Sequence, residues 1–349
     1  MHNRVWIWTA IVVASLVLGT FTTAQHVRSR EPKALVWEQV VRNEAVLNGV
    51  AGNPWQYRVL TAYLVEEWRV FLASSFPPSG AAAGRAFVSL RILLDSLIAL
   101  LSVCYYRRLG LPTPLALIGT VMLAWGMSYA HFDSDFSFNT YLELVFYLTA
   151  ALLLLSRRYW LLVPLTVLAA LNRESGALIP FMGLSLWALD RNTQHNRVLI
   201  AASALSAVLF ATIFVWLRIH YGAQELISAY GHTPGVSLLR YNISQVVTWE
   251  QLLATFSILP LIALAGYRTW PLQLRAFFWA IVPVWILVHS FMALLAETRL
   301  LLVPQALVFI PGALFLVRRS VLADANTAGE IACGELPNDR DLQRGCEYR

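Results

Sequence analysis

The sequence predicts an all-α fold, a polytopic transmembrane helical bundle of about ten spans, and three observations carry that expectation. Long apolar stretches recur along the whole chain. Hydrophobic residues make up 58% and charged residues 13%, against about 25% charged in a soluble domain. The turns between the stretches also divide into two chemistries. One set is arginine-rich: Arg107-Arg108, Arg157-Arg158, Asp190 to Arg197, Arg268 to Arg275 and Arg318-Arg319. The other carries carboxylates: Glu31, Glu38, Glu44, Asp133, Asp135, Glu174, Glu225, Glu250 and Glu297. Threading the stretches alternately across a bilayer puts each set on its own side. Arginine in short loops marks the cytoplasmic side, so both termini are expected in the cytoplasm and the carboxylate turns outside.

A spanning helix needs roughly 20 apolar residues. On that scale the spans fall at 5–24, 86–106, 112–130, 138–156, 159–171, 174–189, 198–217, 250–267, 276–295 and 299–317. The first follows Arg4 and is read as a retained helix rather than a signal peptide, since Thr22-Thr23-Ala24 is only a weak cleavage signal.

The long first external loop, 25–85, carries two expected amphipathic surface helices. In the first, Trp37, Val40, Val41, Ala45, Val46 and Leu47 form an apolar face opposite Glu38, Arg42 and Asn43. Gly49, Gly52 and Pro54 end it. The second runs from Tyr57 to Leu72 with a polar cluster of Glu66, Glu67 and Arg69. A re-entrant segment over 57–72 is the alternative. Ser79 to Gly84 is a small-residue linker.

Spans 159–171 and 174–189 are short. At 1.5 Å per residue they reach roughly 20–24 Å, against a hydrocarbon core of about 30 Å. Their shared turn, Asn172-Arg173-Glu174, is therefore expected below the membrane surface, where an ion pair needs protein or a wet cavity around it. A further outer loop, 218–249, brings Arg218, His220, Tyr221, Glu225, His232, Arg240 and Tyr241. The membrane domain is read as 1–319. The remaining 320–349, with six acidic residues and little apolar content, is read as a disordered cytoplasmic tail.

The formal charge of +6 comes almost wholly from arginine, because Lys33 is the only lysine. Topology explains that excess, and no nucleic-acid partner is expected. Cys104, Cys333 and Cys346 are too few and too scattered for a disulfide framework or a zinc site.

Four outer clusters could carry chemistry. Glu38 and Glu44 lie six residues apart, on opposite flanks of a helix, and are followed by Asn53-Pro54-Trp55-Gln56-Tyr57-Arg58. Arg58 there suits a phosphate or a partner carboxylate. His131-Phe132-Asp133-Ser134-Asp135 ends a span. Its carboxylates could supply a general base or, with His131, ligands to a divalent cation such as Mg or Mn. Asn172-Arg173-Glu174 could form an anion site at a helix start. Glu297-Thr298-Arg299 again pairs an acid with an arginine at a membrane boundary. The competing reading for each is a solvated turn or a structural ion pair. Four on one face weigh more, since ionisable groups at membrane depth are expensive.

With these residues in view, the chain resembles the bacterial GT-C-type glycosyltransferases, which use polyprenyl-phosphate sugars. The stretch 53–61 is similar to their aromatic-Tyr-Arg-x-Leu segment after the first loop. The turn 172–175 matches an Asn-Arg/Lys-Glu-Ser/Thr turn, Arg218 to Gly222 an Arg-x-x-Tyr-Gly stretch, and 297–299 a Glu-Thr-Arg turn. The resemblance covers about 1–318. It implies an inverting hexosyl or pentosyl transferase of the cell envelope, in the bacterial inner membrane. The sugar would pass from a polyprenyl-phosphate carrier to a glycan, lipid or protein acceptor. The family's usual base is an acid in the first outer loop, often Asp. This loop has none, which leaves Glu38 first by position, with Glu44, Asp133 and Asp135 as the other candidates. Arg58, Arg173, Arg218 and Arg299 are then expected at the phosphate. Tyr57, Asn172, Glu174, His220, Tyr221 and Glu297 accompany them, and Trp55, Tyr57 and Tyr221 are available to stack on sugar or prenyl chain.

Two other classes compete. A transporter or flippase of lipid-linked sugar predicts inverted repeats and charges near the bilayer midplane. No repeat is visible, and the charges read as gathered at one edge. A non-enzymatic envelope-assembly partner predicts that the four clusters do not converge in space.

Overall fold

The computed structural model describes residues 2–75, 82–190, 196–227 and 231–320. Cys333, Cys346 and the expected tail from residue 321 lie outside them, as does most of the small-residue linker. The described chain is helical throughout. The described residues contain no strand, and an isolated parallel bridge joins Asn53 and Leu226.

Six helices are long and apolar enough to cross a membrane. They include α1 (His2–Ser29), which runs five residues beyond the expected end of the first span. In the first loop follow α2 (Pro32–Leu47) and α3 (Val59–Ser75). Then come α4 (Ala82–Arg108), α5 (Thr113–Tyr129) and α6 (Phe138–Leu155). The two short stretches become α7 (Leu162–Asn172) and α8 (Leu178–Leu189). The chain continues through α9 (Arg197–Tyr221), α10 (Val236–Ser244), α11 (Val246–Phe256), α12 (Leu259–Ala265) and α13 (Leu272–Met292). A last apolar helix, α14, runs over Thr298–Ser320.

The expected count of ten is not reached on length alone. The stretches 112–130, 159–171 and 174–189 are helices of only 10–17 residues, and 250–267 is a pair, α11 and α12, bent by 61°. Together with the six longer helices, these are the ten expected stretches.

Burial separates centre from rim. The apolar windows of α14 and α6 are 89% and 78% buried, those of α1 and α9 only 22% and 28%. The first two form the middle of the bundle, and the last two present apolar flanks suited to lipid. Helix α4 packs along α1, α5 and α6, and α13 packs along α8. Side-chain bonds tie α1 inward, where Thr22 and Thr23 both donate to Asp95 of α4 at 3.0 and 3.1 Å.

Three of the arginine-rich turns, those at Arg107-Arg108, Arg157-Arg158 and Arg318, meet at one end. Arg108 donates to the Leu155 carbonyl, Arg318 to that of Gly110, and the Arg107 guanidinium lies over Trp8. Helix α6 runs from the turn at 131–137 to the turn at Arg157, so the carboxylate turn before it lies at the opposite end.

One face differs in part from expectation. The buried residues of α2 are Leu35, Gln39, Asn43 and Val46, while Trp37 is 68% exposed and Val41 45%. Gln39 and Asn43 turn inward beside Leu35 and Val46, because part of the space they face is polar; Val40, Ala45 and Leu47 of the expected apolar face still pack against apolar neighbours, and Trp37 and Val41 are left outside.

Candidate functional site

A cavity of about 950 Å³ opens at the carboxylate end. That is at the upper limit of ordinary ligand pockets, about 300–1,000 Å³. Five arginines line it, Arg30, Arg42, Arg58, Arg173 and Arg299, with four carboxylates, Glu38, Asp133, Asp135 and Glu297. Three of the four sequence clusters thus contribute carboxylates, and the Asn172-Arg173-Glu174 turn contributes Arg173.

The turn 131–137 is the hub. Four arginines from four separate elements grip it. Arg30, just past α1, donates to the Ser134 carbonyl at 2.7 Å. Arg42 of α2 meets the Asp135 carboxylate at 2.5 Å. Arg91 of α4 donates to the Phe136 carbonyl at 2.5 Å. Arg299 donates to the Phe132 carbonyl at 3.0 Å and more weakly to that of Asp133. Asp135 also caps the turn, accepting from the Ser137 N–H. These bonds hold Asp133 in the left-handed region, φ 44°. It is exposed into the cavity.

Each lining arginine has an acidic partner. Arg30 uses two nitrogens on the two Glu38 oxygens, both at 3.0 Å. Arg58 holds Glu174 at 2.9 Å, Arg173 holds Glu143 at 2.8 Å, and Arg299 holds Glu297 at 2.5 Å. Ser175 also donates to Glu143. Glu143 and Glu174 stand behind the wall, so the surface facing the cavity is left richer in guanidinium than in carboxylate. Burial pushes the Glu297 carboxyl above the ordinary carboxylate value against the pull of Arg299, and Asp133 adds to the rise. Asn139 and Thr140, in the first turn of α6, line the same wall, which presents the positive end of that helix dipole to the cavity.

Trp55 lies between two guanidiniums, with Arg42 3.9 Å and Arg58 5.2 Å from its ring centre. The roof is the 49–58 segment, tied to the later outer loop. Asn53 N–H donates to the Glu225 carbonyl and Ile227 N–H to the Asn53 carbonyl, at 2.8 and 3.0 Å. A Cβ at Gly52 would lie 3.0 Å from that Glu225 carbonyl, so the two segments approach this closely only with glycine there. The rim is apolar, with Val41, Val50, Ile227 and Met292 all exposed.

Other expected site residues lie elsewhere. Glu44 is exposed outside the cavity. Tyr57 is buried, donating to the Gly222 carbonyl at 2.8 Å under the Arg218 guanidinium. Arg218 is occupied there and with the Phe214 ring and carbonyl. His220 stacks on Trp216 and meets Tyr221 edge-on. Tyr57 and Arg218 thereby brace the roof. Asn172 is fully buried, accepting from Thr61 at 2.6 Å and donating to the Asn139 carbonyl. Glu174 acts on the cavity only through Arg58. The cation reading is corrected too: among the described residues no three His, Cys, Asp or Glu could hold a metal. Asp135 is turned to Arg42 and Ser137. The His131 ring stacks on His26, 5.9 Å away, and burial holds its imidazole below the ordinary value.

A further charged pair lies inside the bundle, next to the 131–137 turn. Arg91 and Asp95, one turn apart in α4, form an ion pair at 2.9 Å with both side chains fully buried. His26, Thr22, Thr23 and Tyr141 surround them. An Arg-x-x-x-Asp inside an apolar run was the readable signal, as was Glu143 inside α6. Arg91→Ala leaves Asp95 buried without its partner, a loss of about 3–5 kcal/mol. The expected result is a lower melting temperature in detergent, partly recovered by adding Asp95→Ala. An unchanged melt would contradict the pairing.

No protein-family model matches this chain, and neither does any curated protein or solved structure.

Proposed function

We propose that the protein is an inverting membrane glycosyltransferase of GT-C type, which moves a sugar from a polyprenyl-phosphate carrier to a cell-envelope acceptor. The single observation that carries this reading is the convergence of Asp133, Arg173 and Arg299 on one cavity, from turns far apart in sequence. An assembly partner has no need of such convergence. The apolar rim suits a prenyl chain arriving laterally from the bilayer, and the arginines suit its phosphate. The resemblance of 53–61, 172–175 and 297–299 to GT-C segments supports the same reading.

The chemistry follows from the geometry. The acceptor hydroxyl gives its proton to a carboxylate while its oxygen attacks the anomeric carbon from the face opposite the phosphate. The carbon–phosphate-oxygen bond breaks, and polyprenyl phosphate leaves with the electron pair. Arg299 and Arg173 neutralise that developing charge, and fixed positioning lowers the barrier further. The geometry favours Asp133 over Glu38 as base. Asp133 faces the cavity from a turn gripped on all sides.

In this reading all ten apolar stretches are embedded, the cavity faces the outside of the bacterial inner membrane, and the arginine-rich end and both termini are cytoplasmic. Cysteine labelling tests the orientation in a background lacking native cysteines. Val50→Cys, at the rim, is expected to react with an impermeant reagent in intact cells, and Ser320→Cys only after permeabilisation. The reverse pattern would overturn the topology.

Function is tested by giving purified protein radiolabelled hexoses and pentoses on polyprenyl phosphate, with envelope glycan, lipid and protein acceptors. Label passing covalently to an acceptor supports the reading. Movement of intact donor across a vesicle membrane without transfer would replace it with the flippase.

A further inference from the structure

A small side pocket of about 30 Å³ opens beside the main cavity, between α2 and the start of α6. It has room for one water or one hydroxyl group. On its α2 side, Gln39, Arg42, Asn43 and Val46 follow the i, i+3, i+4, i+7 spacing of a single helix face.

Two amides in its wall lack partners. Gln39 Oε1 and Asn139 Nδ2 are buried and make no hydrogen bond, and each residue is only 6% exposed. Buried side-chain polar atoms are otherwise almost always bonded. One of these atoms accepts and the other donates, and a hydroxyl does both. The charged neighbours are already engaged, Arg42 with Asp135 and Arg58 with Glu174. Arg42 Nη1 also makes no hydrogen bond, but the Asp135 carboxylate beside it neutralises its charge, so the pocket calls for a neutral ligand. The pocket shares Arg42, Trp55, Arg58, Asp135 and Asn139 with the main cavity, so a ligand seated there can extend one group into it.

We infer that the side pocket is a subsite for one hydroxyl or hydroxymethyl group of the sugar in the main cavity, bonded by the Gln39 and Asn139 amides. This rests on the glycosyltransferase reading. Gln39 and Asn139 are then specificity residues, distinct from the phosphate arginines and from the base. A site built to bond a hydroxyl rejects the analogue lacking it far more strongly than an apolar pocket rejects a missing methylene.

The test uses the full chain and measures both binding and transfer. The ligands are polyprenyl-phosphate-linked glucose, galactose and mannose, each with its mono-deoxy forms. One deoxy position is expected to weaken wild-type binding at least about tenfold. Gln39→Met, Asn139→Leu and the double variant should weaken binding of the parent sugar to match. They should leave affinity for that deoxy form unchanged, which also reports an intact fold. If no deoxy position matters to the wild type, the subsite is wrong whatever the variants do. If the variants weaken every ligand equally, the amides hold a structural water and the subsite is again wrong. If sugars are transferred but the parent-to-deoxy ratio survives in the variants, only the subsite fails. If no lipid-linked sugar binds at all, the transferase reading fails with it.

Discussion

Arg299→Ala lowers sugar transfer about 10²–10³-fold, the usual loss when one group stabilising transition-state charge is removed. Arg299 is 5% exposed, lines the cavity, and joins its two sides by bonding Glu297 and the 131–137 turn. The alanine variant has a second effect, because it strips Glu297 of its partner in a poorly hydrated site. Arg299→Ala combined with Glu297→Gln separates the two. Stability should return toward wild type while transfer stays low, as read by melting temperature and turnover on one preparation. Arg173 is expected to follow the same pattern, with Glu143→Gln as its companion change, since Glu143 is the acid it would abandon. Lysine at either position keeps the charge but loses the planar fork. Full activity for both lysine variants would rule out bidentate phosphate binding.

Asp133→Asn is the second large effect. A base acting on a hydroxyl contributes about 10²–10⁴-fold, and the amide keeps the shape while removing proton acceptance. Donor binding should stay near wild type, because the proposed reading assigns the phosphate to arginines rather than to Asp133. Glu38→Gln should cost much less turnover. Its expected effect is on order in the first loop, since it breaks the two bonds from Arg30 that tie α2 to the end of α1. If Glu38→Gln loses the full factor and Asp133→Asn does not, the roles are exchanged. If both retain more than roughly a tenth of wild-type turnover, neither is the base.

Much of the helical plan was legible because it rests on local chemistry. The apolar stretches, the buried Asn172-Arg173 turn and the separation of arginine turns from the carboxylate turn before α6 all follow from composition along the chain. The site was legible only as separate clusters. Nothing in the spacing says that Arg30, Arg42, Arg91 and Arg299 converge on one turn, because that depends on how four helices pack. Residues 53–61 show the difference. Arg58 reaches the cavity, while Tyr57 of the same segment turns to Gly222 and Arg218 to brace the roof. The orientation of α2 was missed for a related reason. Periodicity finds two faces, and the usual rule buries the apolar one. Here α2 borders a polar cavity as well as the apolar core, so Gln39 and Asn43 face in beside Leu35 and Val46 while Trp37 and Val41 face out.

The most direct measurement is donor binding and sugar transfer made side by side on purified wild type, Asp133→Asn and Arg299→Ala. Wild type is expected to bind a polyprenyl-phosphate sugar and transfer it. Asp133→Asn should bind it equally well and transfer at least about a hundredfold more slowly, and Arg299→Ala should lose both. Transfer by Asp133→Asn at the wild-type rate, or wild-type binding with no transfer to any acceptor, would contradict a cavity that holds the phosphate and the base together.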